Sequence, residues 1–357
     1  MAFSAESGHT NLPNGNFSPT IYSKKAQIAF RKKSVIEDIT NNDYFGEIAD
    51  AGDSVEIIKE PDITVSTLKR GTQNATQALQ DDSFKLIVDQ ANYYQFSVND
   101  IEKKHSHVNF EDMAADKAGY KLKDKYDSES LGYLSGFERN TADNAWIARS
   151  AANGTKADTA AGADELLLAH KLNILNFGGS AVAGSTGAAV HALTSIPVAV
   201  GGGAGAITSP LAILNRINRL MSQKDVEDEN RWVVVDPVFV EMLEDEDSKL
   251  LNADWGGNGQ LLSGDAAKLL RGLKVYKSNN LPSFGTGPET SASVGSRTNF
   301  GIITAGHTGA VATAQQLAKT ETFRSQTEFA DVVRGMHLYG RKILRPESLF
   351  TVHYNIA

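Results

Sequence analysis

Cysteine is absent from all 357 residues. That removes disulfides, thiolate zinc sites, iron–sulfur clusters and thiol nucleophiles together, and it suits a chain that folds in a reducing cytoplasm. An excess of basic charge is also missing. The chain has 35 Lys and Arg against 43 Asp and Glu, a net charge of −8. A protein whose main task is gripping nucleic acid through phosphates is therefore disfavoured, although local basic patches remain open. Long hydrophobic runs are lacking too. The least polar stretch, Gly178 to Leu214, is mostly Ala and Gly and is interrupted by His191, Thr194, Ser195, Pro197 and Pro210. A membrane span needs about 20 mainly apolar residues, so none is expected. The first residues, Met1-Ala-Phe-Ser-Ala-Glu-Ser, have no basic segment followed by an apolar one, so no secretory signal is expected.

Catalytic motifs are scarce. Neither Gly-x-Ser-x-Gly nor His-Glu-x-x-His occurs. The run Gly201-Gly-Gly-Ala-Gly-Ala-Ile precedes a helical pattern but lacks the Gly-Lys-Ser/Thr ending of a phosphate loop. Ser66 and Lys69 have the spacing of a serine–lysine pair, yet their segment alternates as a strand, which separates the two side chains. His105 and His107, near Glu111 and Asp112, lack a third ligand at useful spacing, and surface histidines explain them as well as a metal does. Glu241, Glu244, Asp245, Glu246 and Asp247 read as a solvated or interface face. Structural, assembly or binding roles gain weight accordingly.

What is present is enough for a core. Apolar residues make up 41% and charged residues 22%, ordinary for a globular chain, and the length suits two or three domains. Residues 1–20 are rich in Ser, Asn, Gly and Pro and read as an extended arm. From Ile21 to Thr40 the pattern is helical, with Ile21, Ile28, Val35 and Ile39 near one face. Lys24, Lys25, Arg31, Lys32 and Lys33 surround them, and no acid lies between Glu6 and Glu37. A solvated basic face and a docking surface for an acidic partner or packaged nucleic acid are both open.

Gly46 to Val98 reads as β. Asp53-Ser-Val-Glu-Ile-Ile and the alternating Ile63, Val65 and Thr67 form one expected strand region; Phe84, Leu86, Val88, Tyr94, Phe96 and Val98 form a second long one. The polar stretch Leu68 to Asp82 between them makes an extended hairpin, which is marginal alone in water and must lie on something else. Asn109-Phe-Glu-Asp opens a helix of about 40 Å. Its thin stripe of Phe110, Ala114, Ala118, Leu122 and Tyr126 is flanked by Lys117, Lys121, Lys123, Asp124 and Lys125. Pro210 to Met221 reads as a helix, Arg231-Trp-Val-Val-Val-Asp as a buried strand, and Pro237 as the start of another helix. Strands are expected at Leu273 to Tyr276 and Phe300 to Thr304, which gives a compact α/β unit over about 210–330. Phe329 to Asn355 reads as a strand or hairpin.

The order of these parts resembles the major capsid (coat) protein of tailed double-stranded-DNA bacteriophages. The resemblance rests on Tyr22-Ser-Lys-Lys with Phe30-Arg-Lys-Lys-Ser-Val; on Tyr44-Phe-Gly-Glu-Ile-Ala-Asp-Ala-Gly-Asp-Ser-Val; on Leu79 to Phe96; on the helix from Asn109; on Arg231-Trp-Val-Val-Val-Asp-Pro; and on Gly301 to Tyr354 with Phe329-Ala-Asp-Val-Val-Arg-Gly-Met. It implies an α+β fold in five parts: an N-terminal arm (1–47), an extended β-hairpin loop with flanking strands (48–106), a peripheral domain with a spine helix (107–165), an axial domain (166–325, with 150–209 a candidate insertion), and a C-terminal return to the peripheral domain (326–357). It also implies a non-enzymatic subunit that assembles with itself into hexamers and pentamers of an icosahedral head. Expected partners are a scaffolding protein, a portal protein, a decoration or cement protein and non-specifically packaged double-stranded DNA. No cofactor, metal or membrane is implied. The expected location is the virion capsid, assembled in the bacterial host cytoplasm. Lys69, Arg70, Asp81 and Asp82 become the expected subunit contact of the loop, and Lys24, Lys25, Arg31, Lys32 and Lys33 an arm facing interior or scaffold. No residue pattern supports an isopeptide crosslink. An encapsulin-type compartment shell and a cytosolic α/β nucleotide-binding enzyme with a site at Gly201 to Gly205 are the alternatives.

Overall fold

The computed structural model describes residues 34–43, 54–59, 61, 63–65, 67, 70–71, 76–78, 82–100, 110–139, 146–148, 166–177, 195–199, 207–244, 268–284, 300–327 and 329–356. In chain order the elements are α1 (Ile36–Ile39), β1 (Ser54–Lys59), β2 (Asp82–Ile87), β3 (Gln90–Asn99), α2 (Phe110–Ser135), β4 (Phe137–Arg139), β5 (Trp146–Ala148), β6 (Lys171–Leu172) and β7 (Ile196–Val198). They continue with α3 (Pro210–Ser222), β8 (Arg231–Val235), α4 (Pro237–Glu244), β9 (Lys268–Leu270), β10 (Leu273–Lys277), β11 (Ser283–Phe284), β12 (Phe300–His307), β13 (Val311–Arg324), β14 (Ala330–Ile343) and β15 (Leu349–Ile356).

The largest sheet has the order β6-β15-β12-β8-β10-β9, with β7 added to β15 and β11 to β12. Its centre is β8, in which all five residues are buried. Side chains alternate across a strand, so β8 feeds two cores. Val233 and Val235 enter a core with Ile213, Leu214 and Ile217 of α3 and Phe239 and Leu243 of α4. Trp232 and Val234 enter another with Tyr126, Leu131 and Leu134 of α2, Ile36 and Ile39 of α1, and Tyr339 and Ile343 of β14. The unbroken apolar run Trp-Val-Val-Val is what two-sided burial requires. Arg231 begins this strand almost wholly buried, and its guanidinium is spent on Glu227 O at 2.7 Å, Ser222 Oγ at 3.0 Å and Asp228 at 2.8 Å.

At 26 residues, α2 spans about 39 Å. Its C-terminal part, Ser130 to Ser135, is buried, whereas its N-terminal half is half-buried to exposed. It stops at Gly136, whose φ of 83° is the left-handed value that favours glycine. The three-stranded sheet β13-β14-β3 lies against it. His337 and Tyr339 of β14 pack edge-on to Tyr126, and Tyr339 donates to Glu129 at 2.5 Å. Burial pushes the His337 imidazole below its ordinary pKa, so the ring is held neutral among these aromatics.

One carboxylate ties the units together. Asp127 of α2 is fully buried. Its Oδ1 accepts from Ser34 Oγ at 3.0 Å, Val35 N at 2.8 Å and Ile36 N at 3.0 Å, while Oδ2 accepts from Asn280 Nδ2 at 2.9 Å. It supplies to α1 the N-terminal acceptor that α1 lacks within its own segment.

Several expectations need correction. Ile63, Val65 and Thr67 are not in a strand: the described hairpin register closes at Lys59↔Asp82, and no described residue pairs with them as a strand. The second long strand is divided at Val88 and Asp89. β2 pairs with β1, but β3 pairs with β14. Sheet membership also cuts across the boundary expected at 325/326. β13, expected in the axial domain, pairs with β14 in the three-stranded sheet; β15, expected in the C-terminal return, joins the large sheet beside β12. The reason is packing, since Phe350, Val352 and Tyr354 of β15 enter the α3–α4 core. β14 and β15 therefore form no hairpin. Within 150–209, β6 and β7 pair with β15 and bury Leu172, Ile196 and Val198, so these strands are integral to the large sheet. Of the expected helix from Ile21 to Thr40, Ile36–Ile39 is helical and residues 21–33 lie outside the described residues.

Replacing Asp127 with Ala removes the acceptor of the buried Val35 and Ile36 amides and of the half-buried Ser34 hydroxyl, and one of two acceptors of Asn280. The unfolding free energy should fall by about 2–4 kcal/mol, read as a lower urea midpoint. An unchanged midpoint would remove this carboxylate from the account.

Candidate assembly interface

The β1–β2 hairpin has a buried root and an exposed body. At the root, Leu86 and Val88 pack on Ala312 and Ala314 of β13, with Val55, Ile57 and Leu338 alongside. The chain crosses β14 here at very close range. A Cβ placed on Gly340 would lie 2.4 Å from the Ile87 carbonyl oxygen and 3.0 Å from Val88 Cα. Only glycine admits that crossing without displacement, and the crossing ends the hairpin and turns the chain into β3.

Beyond the root, large apolar side chains face solvent. Ile58 is 84% exposed, Ile63 63% and Val65 93%. The Thr64 amide donates to Gln77 Oε1 at 3.0 Å, joining the outgoing and returning segments. Arg70 and Gly71 form a turn in which both are exposed. Lys69 and Asp81 lie outside the described residues, as does the side chain of Asp82, whose backbone pairs with Lys59. Lys24, Lys25, Arg31, Lys32 and Lys33 lie outside them as well.

The face of the three-stranded sheet that receives the hairpin root continues past it as a groove. Tyr93, Gln95, Lys319, Glu321, Arg334 and Met336 line this groove. Tyr93 is 79% exposed and Met336 40%. Arg334 Nη2 donates to Glu321 at 2.8 Å, and Lys319 pairs with the same carboxylate. These two cations hold the Glu321 carboxyl at about 2, so the cluster stays charged until pH falls to that value. Nearby, Arg324 bridges Asp100 and Asp331, which raise its pKa. None of these residues stood out in the sequence, because their period-two spacing becomes a single face only once β13 is known to pair with β14.

Among the described residues no group of three metal-ligating side chains comes together, and no helix is long and apolar enough to cross a membrane. Gly201 to Gly205, Ser66, Lys69, His105 and His107 lie outside the described residues, while Glu241 and Glu244 are exposed on α4.

No protein-family model and no curated protein matches the chain. Solved structures do. A chain from Mycobacterium phage Che8 matches at a TM-score of 0.64 and 20% identity, over 95% of this chain and 97% of that one. A chain of the capsid of cyanophage P-SCSP1u matches at 0.59 and 17% identity, over 96% and 94%. A chain of the capsid of Ralstonia phage GP4 matches at 0.59 and 14% identity, over 98% and 99%. The chain has the tailed-phage major capsid protein fold, an α+β fold, as the resemblance implied.

Gly340→Val should clash with the backbone at Ile87 and loosen the hairpin root, at a cost of about 1–3 kcal/mol. Limited proteolysis within 60–81 should accelerate while the remainder of the chain stays resistant. Unchanged cleavage would show that the crossing does not hold the hairpin.

Proposed function

We propose that this protein is a non-enzymatic shell subunit, the major capsid protein of a tailed phage. It assembles with itself into hexamers and pentamers of an icosahedral head enclosing double-stranded DNA. The observation that carries this reading is the hairpin. Its root is fixed on the subunit's own sheet, yet Ile58, Ile63 and Val65 stand in solvent. Covering them on a neighbouring copy gains about 25 cal/mol per Å² of apolar surface removed from water. Repeated around a shell, many such modest contacts close a particle without disulfides, as a chain with no cysteine must. The capsid chains that share this fold support the same reading.

In this reading Lys69, Arg70, Asp81 and Asp82 pair with the neighbour's charges at the far end of the loop. The bases Lys24, Lys25, Arg31, Lys32 and Lys33 face the particle interior and engage a scaffolding protein during assembly. A portal protein occupies one vertex, decoration proteins bind outside, and assembly takes place in the host bacterial cytoplasm before the head becomes part of the virion.

The test is expression of the full chain followed by electron microscopy. Closed particles tens of nanometres across are expected, and monomers at every concentration would overturn the proposal. Deleting Leu68–Asp82 should leave a soluble, folded subunit that forms no regular shells. Normal shells from that deletion would remove the loop from assembly.

A further inference from the structure

The N-terminal half of α2 is less enclosed than its C-terminal end, its described side chains being half-buried to exposed. At Gly119, on the side that would continue toward the sheet, nothing lies within 4 Å of an added Cβ. Along α2 run Lys117, Lys121 and Lys125, all exposed, the first two in its N-terminal half and the third just past its midpoint. At a spacing of four residues they follow one another about every 6 Å along the helix.

The charges facing this row are few and already engaged. Glu129 lies 3.7 Å from Lys125, but its carboxylate also accepts from Tyr339 at 2.5 Å and from Asn92 at 2.8 Å. Asp124 accepts from Asn280 at 3.0 Å, and Asp127 is fully buried. Lys123, on the other flank, is paired with Glu37 at 3.0 Å. Neither Lys117 nor Lys121 has an acidic partner among the described residues. In a chain of net charge −8, an evenly spaced row of exposed lysines, two of them without an acidic partner among the described residues, is complementary to a regular array of anions.

We infer that Lys117, Lys121 and Lys125 form a phosphate-contacting row for double-stranded DNA, so that the face of α2 carrying them lies on the DNA-facing side of the subunit. A strand of duplex DNA presents one phosphate per about 3.4 Å of axis, so lysines about 6 Å apart meet roughly every second phosphate. The contact is non-specific, because a lysine presents a point charge with no fork to read bases. It adds a second basic element to the N-terminal run and gives the subunit an orientation. The inference rests on the capsid reading, under which DNA is the polyanion enclosed.

The test measures binding of the full-length subunit to a 30-base-pair duplex by fluorescence anisotropy across a KCl series. Replacing all three lysines with Gln, which keeps helix propensity, should reduce the slope of log K against log salt by about 2.7, at about 0.9 per phosphate contact. The corresponding triple Arg variant should keep the wild-type slope. An unchanged slope in the Gln variant overturns the inference. So does an unchanged DNA slope accompanied by lost binding of a poly-glutamate peptide, which would assign the row to an acidic protein. Particle formation by the wild-type chain is scored separately. Shells with an unchanged slope therefore refute the lysine row alone, and absence of shells refutes the capsid reading.

Discussion

The structure depends on β8 being buried on both faces. Val233 and Val235 close the core under α3 and α4, while Trp232 and Val234 close the one under α2, α1 and β14. A polar residue at any of these four positions would open one core and loosen the sheet that serves the other. The two cores therefore share one central wall. Burying side chains of this size contributes about 1.5–3 kcal/mol each relative to exposure, and here one strand contributes on both sides. Asp127 adds a polar tie to the same wall, linking the start of α1 and the Asn280 turn to the long helix.

Against this self-sufficient body the hairpin is the exception. Its root uses the close approach at Gly340 and the small pocket of Ala312 and Ala314, whereas Ile58, Ile63 and Val65 of its body are exposed. A two-stranded sheet of six residue pairs is marginal by itself. The proposed assembly completes this part: a hairpin with exposed apolar side chains gains stability where a neighbouring copy covers them. The ion-paired groove of Arg334, Glu321 and Lys319 continues the face on which the hairpin root sits. Hairpin and groove therefore belong to one surface.

Much of this was legible in the sequence where a signal is local. The Trp-Val-Val-Val run marked a strand buried on both sides, Pro210 opened α3, and the stripe from Phe110 to Tyr126 marked the long helix. Partnership was not legible. β2 and β3 share one alternating pattern, yet a backbone crossing at Gly340 sends them to different sheets. β13 and β15 have similar composition to their neighbours, and only packing against α3 and α4 assigns β15 to the large sheet. Ile63 and Val65 alternate as a strand would, but alternation without a partner strand forms none. The exposed Arg70 turn of the candidate site was readable from its polar context, whereas the groove needed the β13–β14 register before its residues shared a face.

The central claim is that a self-sufficient body carries a hairpin completed only by a neighbour. Amide hydrogen exchange compared between the soluble subunit and the assembled particle tests it most directly. Amides of Arg231–Val235 and of the buried end of α2 should exchange slowly in both states. Those of Ser54–Lys59 and Asp82–Ile87 should exchange quickly in the subunit and slowly in the particle. Equal protection of the hairpin in the two states would contradict the account.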